Sequence, residues 1–185
     1  MATPTTLPAT FTAGQVLTAA QMNDLRGAFR VLQVVATTLT TTFSASVATT
    51  ANTAITGLSV SITPSSTSSK ILVLGSVSGS VNQLDAVLYL TLLRGATPIG
   101  VGTSPGNRQA VTTALNVNQN ASNLNSASFI VLDSPNTTSA TTYNVNMSHQ
   151  SGSTRTLYIN RTETDSDTGT FPRAVSTISV YEVSA

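Results

Sequence analysis

Two hydrophobic periods divide the chain. Met22, Leu25, Phe29 and Leu32 recur at spacings of three, four and three, which at 100° per residue lines them up on one narrow stripe of an α-helix. Thr18 and Gln21 stand in the relation of a capping box, with Leu17 and Met22 placed as a hydrophobic staple. The pattern predicts a helix from about Ala19 to Leu32. Gly27 weakens it by up to ~1 kcal/mol, and two heptads do not hold a coiled coil together alone. Three roles stay open for the stripe: packing on the chain's own body, a seam with identical helices, or docking on another protein.

From Val34 the period changes to two. Leu58, Val60 and Ile62 alternate with Ser and Thr, and Pro64 to Ser69 make a turn. Ile71, Val73 and Val77 continue from Lys70, with Gly75 and Gly79 as interruptions. Leu84 to Leu93 is apolar on both faces, the pattern of a strand covered on both sides. Arg94-Gly95-Ala96-Thr97-Pro98 is a hairpin signal leading to a short strand at Ile99 and Val101. Further strands are expected near 109–117, 126–132, 141–149, 155–161 and 174–183, with Gly, Pro, Asn and Ser clusters between them. Eight to ten short antiparallel strands with a turn about every ten residues suit a sandwich or barrel. The expected fold is all-β, an antiparallel jelly-roll sandwich with a short N-terminal α-helix. Residues 1–33 form an arm and helix for docking or oligomerisation, and residues 34–185 form the head.

Composition adds the character of the surface. Only 8 % of residues are charged, against roughly a quarter in an ordinary soluble domain. Ser, Thr and Asn take their place, so the solvated faces are neutral and hydroxyl-rich. Net charge is +1 and Lys70 is the sole lysine. Arg26 and Arg30 share a helix flank while the other cations are scattered, which argues against a nucleic-acid partner. Cysteine is absent, removing disulfides, thiolate catalysis and zinc–thiolate sites. Residues 1–10 carry no Lys, Arg or apolar run, so no secretory signal is expected there. No window approaches the ~20 apolar residues that cross a bilayer, and membrane insertion is not expected.

Candidate chemistry is sparse. His149 is the only histidine, and without a G-x-S-x-G elbow it reads as a hydrogen-bonded or solvent-facing strand residue. Glu163, Asp165 and Asp167 alternate ahead of Gly169, as in the first half of a calcium loop, but no bidentate Glu follows at loop spacing. Arg161 and Arg173 flank them, so ion pairing competes with calcium. Paired carboxylates for sugar cleavage would have to come from Asp24, Asp85, Asp133, Glu163, Asp165, Asp167 and Glu182, and no spacing singles out a pair. The sequons at Asn120, Asn136, Asn146 and Asn160 are chance matches in an Asn/Ser/Thr-rich chain. No enzyme activity and no cofactor are expected.

Several segments resemble small virion proteins of tailed phages, including cyanophages. These are the lead-in Ala9 to Asn23, with Phe11, Gly14, Val16, Leu17 and Met22; Gly57 to Ser65 followed by Ser69 to Val73; Leu93 to Ile99; Phe129 to Pro135 with Thr141 to Tyr143; and Tyr158 to Arg161 through Asp165 to Asp167 to the closing Ser176 to Val180. Their order along the chain carries the likeness. The resemblance implies a jelly-roll head of the tumour-necrosis-factor and C1q type and a homotrimer. It also implies a place in the virion, at the tail or capsid exterior, with other virion proteins and a host cell-surface glycan as partners. Tail fibre, receptor-binding tip, baseplate part, capsid decoration and head fibre all fit. A further reading, a soluble carbohydrate-binding module, would need a monomer and a groove lined by aromatics, which are 5 % of the chain and scattered. The receptor-binding residues are unknown; loops 102–108, 118–126 and 163–172 are the candidates.

Overall fold

The computed structural model describes residues 14, 16, 18, 19, 31–82, 86–104, 106–116 and 122–184. Among the described residues eleven strands follow one another: β1 (Val31–Leu39), β2 (Phe43–Val47), β3 (Thr53–Ile62), β4 (Lys70–Val81), β5 (Val87–Arg94), β6 (Thr97–Pro98), β7 (Thr113–Asn116), β8 (Asn125–Asp133), β9 (Thr141–Ser148), β10 (Arg155–Ile159) and β11 (Ser176–Val183).

Their pairing is nested. The first strand pairs with the last, β2 with β10, β3 with β9, β4 with β8 and β5 with β7, all antiparallel, which leaves β6 in the middle. In the four inner ladders the paired residue numbers add to nearly the same total, as in Ala45 with Leu157, Ser59 with Asn144, Ile71 with Asp133 and Leu88 with Leu115. The chain is therefore one long hairpin that turns back near Gly102. Rolling this ribbon brings β4 against β11 and β10, and β5 against β9. Two sheets result, β1-β11-β4-β10-β2 with β8 on the far side of β4, and β3-β9-β5-β6 with β7 also on β5. This is jelly-roll topology, and the expected all-β antiparallel sandwich is what the chain forms.

Alternation decides which side chains meet between the sheets. Ile71, Val73 and Val77 from one sheet and Leu88, Leu90 and Leu92 from the other are fully buried. β3 carries an irregularity between Ala54 and Ser59. Gly57 lies inside it at φ +84°, a conformation that disfavours L side chains, and a Cβ there would come within 3.0 Å of Leu39 Cδ1.

Three expectations change. Leu32, placed at the end of the helical stripe, lies in β1, which already starts at Val31, ahead of the expected start of the head at residue 34. Val31, Val34 and Val35 are β-branched and pair along β11, and this tertiary ladder overrides the local helical spacing. Met22, Leu25 and Phe29, and the helix itself apart from Ala19, lie outside the described residues. Gly75 and Gly79 do not interrupt β4. Gly75 faces Phe129 directly across the ladder, and the ring occupies the space a Cβ would need, 2.1 Å away. The short strand expected at Ile99 and Val101 falls instead at Thr97–Pro98, and Ile99 donates its N–H to the Leu92 carbonyl just beyond it.

Candidate functional site

On the six-stranded sheet, cross-strand register sorts the outward side chains into rows. Val34, Tyr181, Leu72 and Leu132 lie directly opposite one another across four strands. The next row is Ala36, Ser179, Leu74 and Ile130, and the one after it Thr38, Thr177, Ser76 and Ser128. The face thus grades from apolar at one end to hydroxyl at the other, where Ser78 and Ser126 share a hydrogen bond of 2.7 Å. Ile130 is 71 % exposed, Leu132 62 % and Val34 52 %. These rows hold no charged side chain. Lys70, at the apolar end beside Val183, donates its ammonium to Ser134 Oγ at 2.8 Å.

The same end is closed from inside by two polar clusters. Asp133, at the tip of β8, accepts from Arg94 Nη1 at 2.9 and 3.0 Å and from the Tyr143 hydroxyl at 2.7 Å. Arg94 and Tyr143 pair across β5 and β9, so this triad ties the two sheets together. Burial, then the hydrogen bond to Asp133 and its negative charge, push the Tyr143 phenol well above its ordinary value. The second cluster centres on Glu182, which is fully buried on the core side of β11. It accepts from Gln33 Nε2 at 2.6 Å and from the N–H and hydroxyl of Ser65 at 2.7 and 2.6 Å. Burial pushes this carboxyl up, but the bonds from Ser65, Gln33 and Ser69 outweigh it and bring it down to about 2. Glu182 thereby fastens the 63–69 turn to the first and last strands.

His149 is buried, with Nε2 2.8 Å from the Val47 carbonyl and Nδ1 accepting from the Ser151 N–H at 3.1 Å. The acceptor role of Nδ1 puts the proton on Nε2, and both nitrogens hold the turn after β9 against the end of β2.

In the acidic loop Asp165 is engaged by two arginines. Asp165 accepts from Arg173 Nε and Nη2 at 3.1 and 2.8 Å and lies 3.7 Å from Arg161 Nη1. The Arg173 hydrogen bonds hold its carboxyl below the usual range. Arg161 also donates to the backbone oxygens of Thr162 and Glu163 and lies over the Tyr158 ring. Among the described residues no three His, Cys, Asp or Glu side chains are placed to hold a metal ion. The loop lines an open recess of about 320 Å³ with Asp165, Asp167, Phe171 and Arg173. Of the carboxylates considered for sugar cleavage, Asp133, Asp165 and Glu182 are all engaged by the partners just named, and Asp24 and Asp85 lie outside the described residues.

Sequence reasoning missed the apolar rows and the Glu182 clamp. The only signal for the rows was apolar residues at consecutive positions, as in Phe129-Ile130-Val131-Leu132 and Ile71-Leu72-Val73-Leu74, which give each strand a second oily side.

No protein-family model matches this sequence, and no curated protein does. Among solved structures the chain is similar to that of infectious bursal disease virus, Gt strain, at 17 % identity and a TM-score of 0.42, over 82 % of this chain and 38 % of that one. It is also similar to the Gx strain structure at 13 % identity and a TM-score of 0.40, over 81 % and 40 %. T=1 particles derived from infectious bursal virus give 15 % identity and a TM-score of 0.39, over 84 % and 37 %. The chain spans about two fifths of the length of these virus chains.

Proposed function

We propose that this chain is a non-enzymatic structural subunit of a virus particle, a homotrimeric tail-fibre or receptor-binding type of subunit in a tailed phage. The observation that carries this reading is where the few charges go. Glu182 is buried, Asp133 is taken by Arg94, Asp165 by Arg173 and Arg161, and Arg155 donates to Ser151 Oγ. Charges are thus spent inside the fold and within loops, while the rows of the outer six-stranded face are hydroxyl and apolar. A molecule with net charge +1 has little self-repulsion to keep its copies apart, which suits a wall built of many copies. The resemblance of its segments to phage virion proteins supplies the particle, and the jelly-roll head fits the same role.

A mass-spectrometric inventory of purified particles from a lysate encoding this chain tests the reading. Peptides of the chain at fixed stoichiometry to the major capsid protein are expected, with antibody label at the tail. Label on the shell would replace the tail-fibre role with a decoration role. Absence from particles would end the reading.

A further inference from the structure

We propose that the apolar end of the outer six-stranded face, centred on Leu72, Leu74, Ile130, Leu132, Val34 and Tyr181, is the surface on which a second copy of the chain packs. The proposal rests on the assembly role above and names its contact.

Three observations converge on that occupant. The first is apolarity in register. Two adjacent four-strand rows place these side chains side by side, and the two on edge strand β8 are exposed by 71 and 62 %. A largely apolar patch across four neighbouring strands differs from isolated exposed aliphatics, which need no explanation. The second is size. The two apolar rows lie ~7 Å apart on four strands at ~4.8 Å spacing, and with the hydroxyl rows beside them, over the nine β4 residues paired to β8, the face spans roughly 19 by 30 Å. Two such faces together cover about 1,100 Å², just above the ~1,000 Å² total that a specific interface needs, with the apolar rows as its centre and the hydroxyl rows as its flank. The third is charge. No ionised group interrupts the rows, and Lys70 at their margin is already directed to Ser134. A second copy can therefore meet this face without like charges opposing, and its hydroxyl rows offer rotatable donors and acceptors to the partner's own.

The test uses the full chain with Ile130→Lys and Leu132→Lys combined. Both positions are open, so the fold tolerates the change, and unchanged far-ultraviolet circular dichroism checks that it does. Sedimentation velocity across 0.1–100 μM (on the order of the concentrations where specific oligomers form) should show an assembled wild type. The double variant should sediment at the single-chain mass of 19.0 kDa, with a dissociation constant raised roughly 100-fold or more. Ser59→Lys, on the outward side of β3 in the other sheet, should leave assembly unchanged.

A wild type that stays monomeric overturns the proposal. So does a double variant that assembles normally, or a Ser59→Lys protein that dissociates equally. Dissociation by Met22→Asp with Phe29→Asp, while Ile130→Lys/Leu132→Lys stays assembled, moves the contact to the N-terminal stripe and also overturns it. A protein that self-associates through this face but is missing from particles sinks the virion role and leaves the contact standing.

Discussion

Replacing Glu182 by glutamine removes one charge from the core side of β11 and keeps the side chain's shape. Glu182 offers two acceptor oxygens, one to Ser65 N–H and Oγ, the other to Gln33 Nε2. A glutamine keeps one acceptor and presents an NH₂ in place of the other. If its oxygen stays on Ser65, the NH₂ faces Gln33 Nε2, donor against donor. Gln33 cannot turn its amide without cost, because Nε2 also donates to the Thr63 carbonyl at 2.7 Å. Lowering a carboxyl from 4.5 to about 2 corresponds to about 3 kcal/mol of stability at neutral pH, in line with the loss of one or two hydrogen bonds to a charged group. The sign follows from the direction of the shift. The folded-state value is the lower one, so this stability is complete above about pH 4.5 and drains away as pH falls toward 2. Urea unfolding at fixed protein concentration should give a Glu182→Gln deficit of about 3 kcal/mol at pH 7, shrinking toward zero near pH 2. Equal pH dependence in both proteins, or a deficit below about 1 kcal/mol at pH 7, would refute the reasoning.

Other perturbations have equally definite outcomes. Gly75→Ala forces a methyl into the Phe129 ring and should cost about 1–3 kcal/mol by thermal melt; adding Phe129→Leu should recover part of the loss. Asp133→Asn leaves the partly exposed Arg94 guanidinium and the Tyr143 hydroxyl without their shared carboxylate and should cost about 1.5–3 kcal/mol, read by urea unfolding. Asn160→Ala removes the side chain that bonds the Leu39 and Thr41 carbonyls and accepts from Ser176. Asn160 also sits at φ +61°, and its loss should lower stability by about 2 kcal/mol or more. Adding calcium or a chelator should leave the melting temperature unchanged, because Asp165 is committed to Arg173 and Arg161; a calcium-dependent rise would mean that the loop rearranges to bind it.

The sandwich was legible because a two-residue period survives without knowledge of partners. Leu58, Val60 and Ile62, or Ile178 and Val180, announce a buried face whatever strand lies opposite. The junction at Leu32 was ambiguous because its residues satisfy a helical stripe on one side and a β-branched run on the other, and only the ladder to β11 decides. Glycines 75 and 79 read as breaks because the ring and backbone that press on them come from strands about 50 and 80 residues away. Glu182 read as a stray carboxylate for the same reason, since Ser65 and Gln33 lie 117 and 149 residues distant. The outward apolar rows depend on register, which one strand's sequence does not contain. The partners of His149 and of Asp165 lie close in sequence or at strand ends, which is why hydrogen bonding and ion pairing are visible among their options before the fold is known.

The nested pairing also sets an order of events in time. The innermost ladder, Val87 to Asn116, joins residues close along the chain, and each ladder outward closes a longer loop, up to Val31 with Val183. Loop closure costs more the farther apart the joined segments are, so the ribbon should zip from Gly102 outward. β11 is the keystone: it wedges between β1 and β4 and is the last strand of the series, so until it arrives two strand edges stand open. A nascent or truncated chain lacking Ser176 to Val183 would expose sticky edges and depend on chaperones or rapid completion. Pulse-labelled hydrogen exchange should find protection in β5 and β7 before β1 and β11.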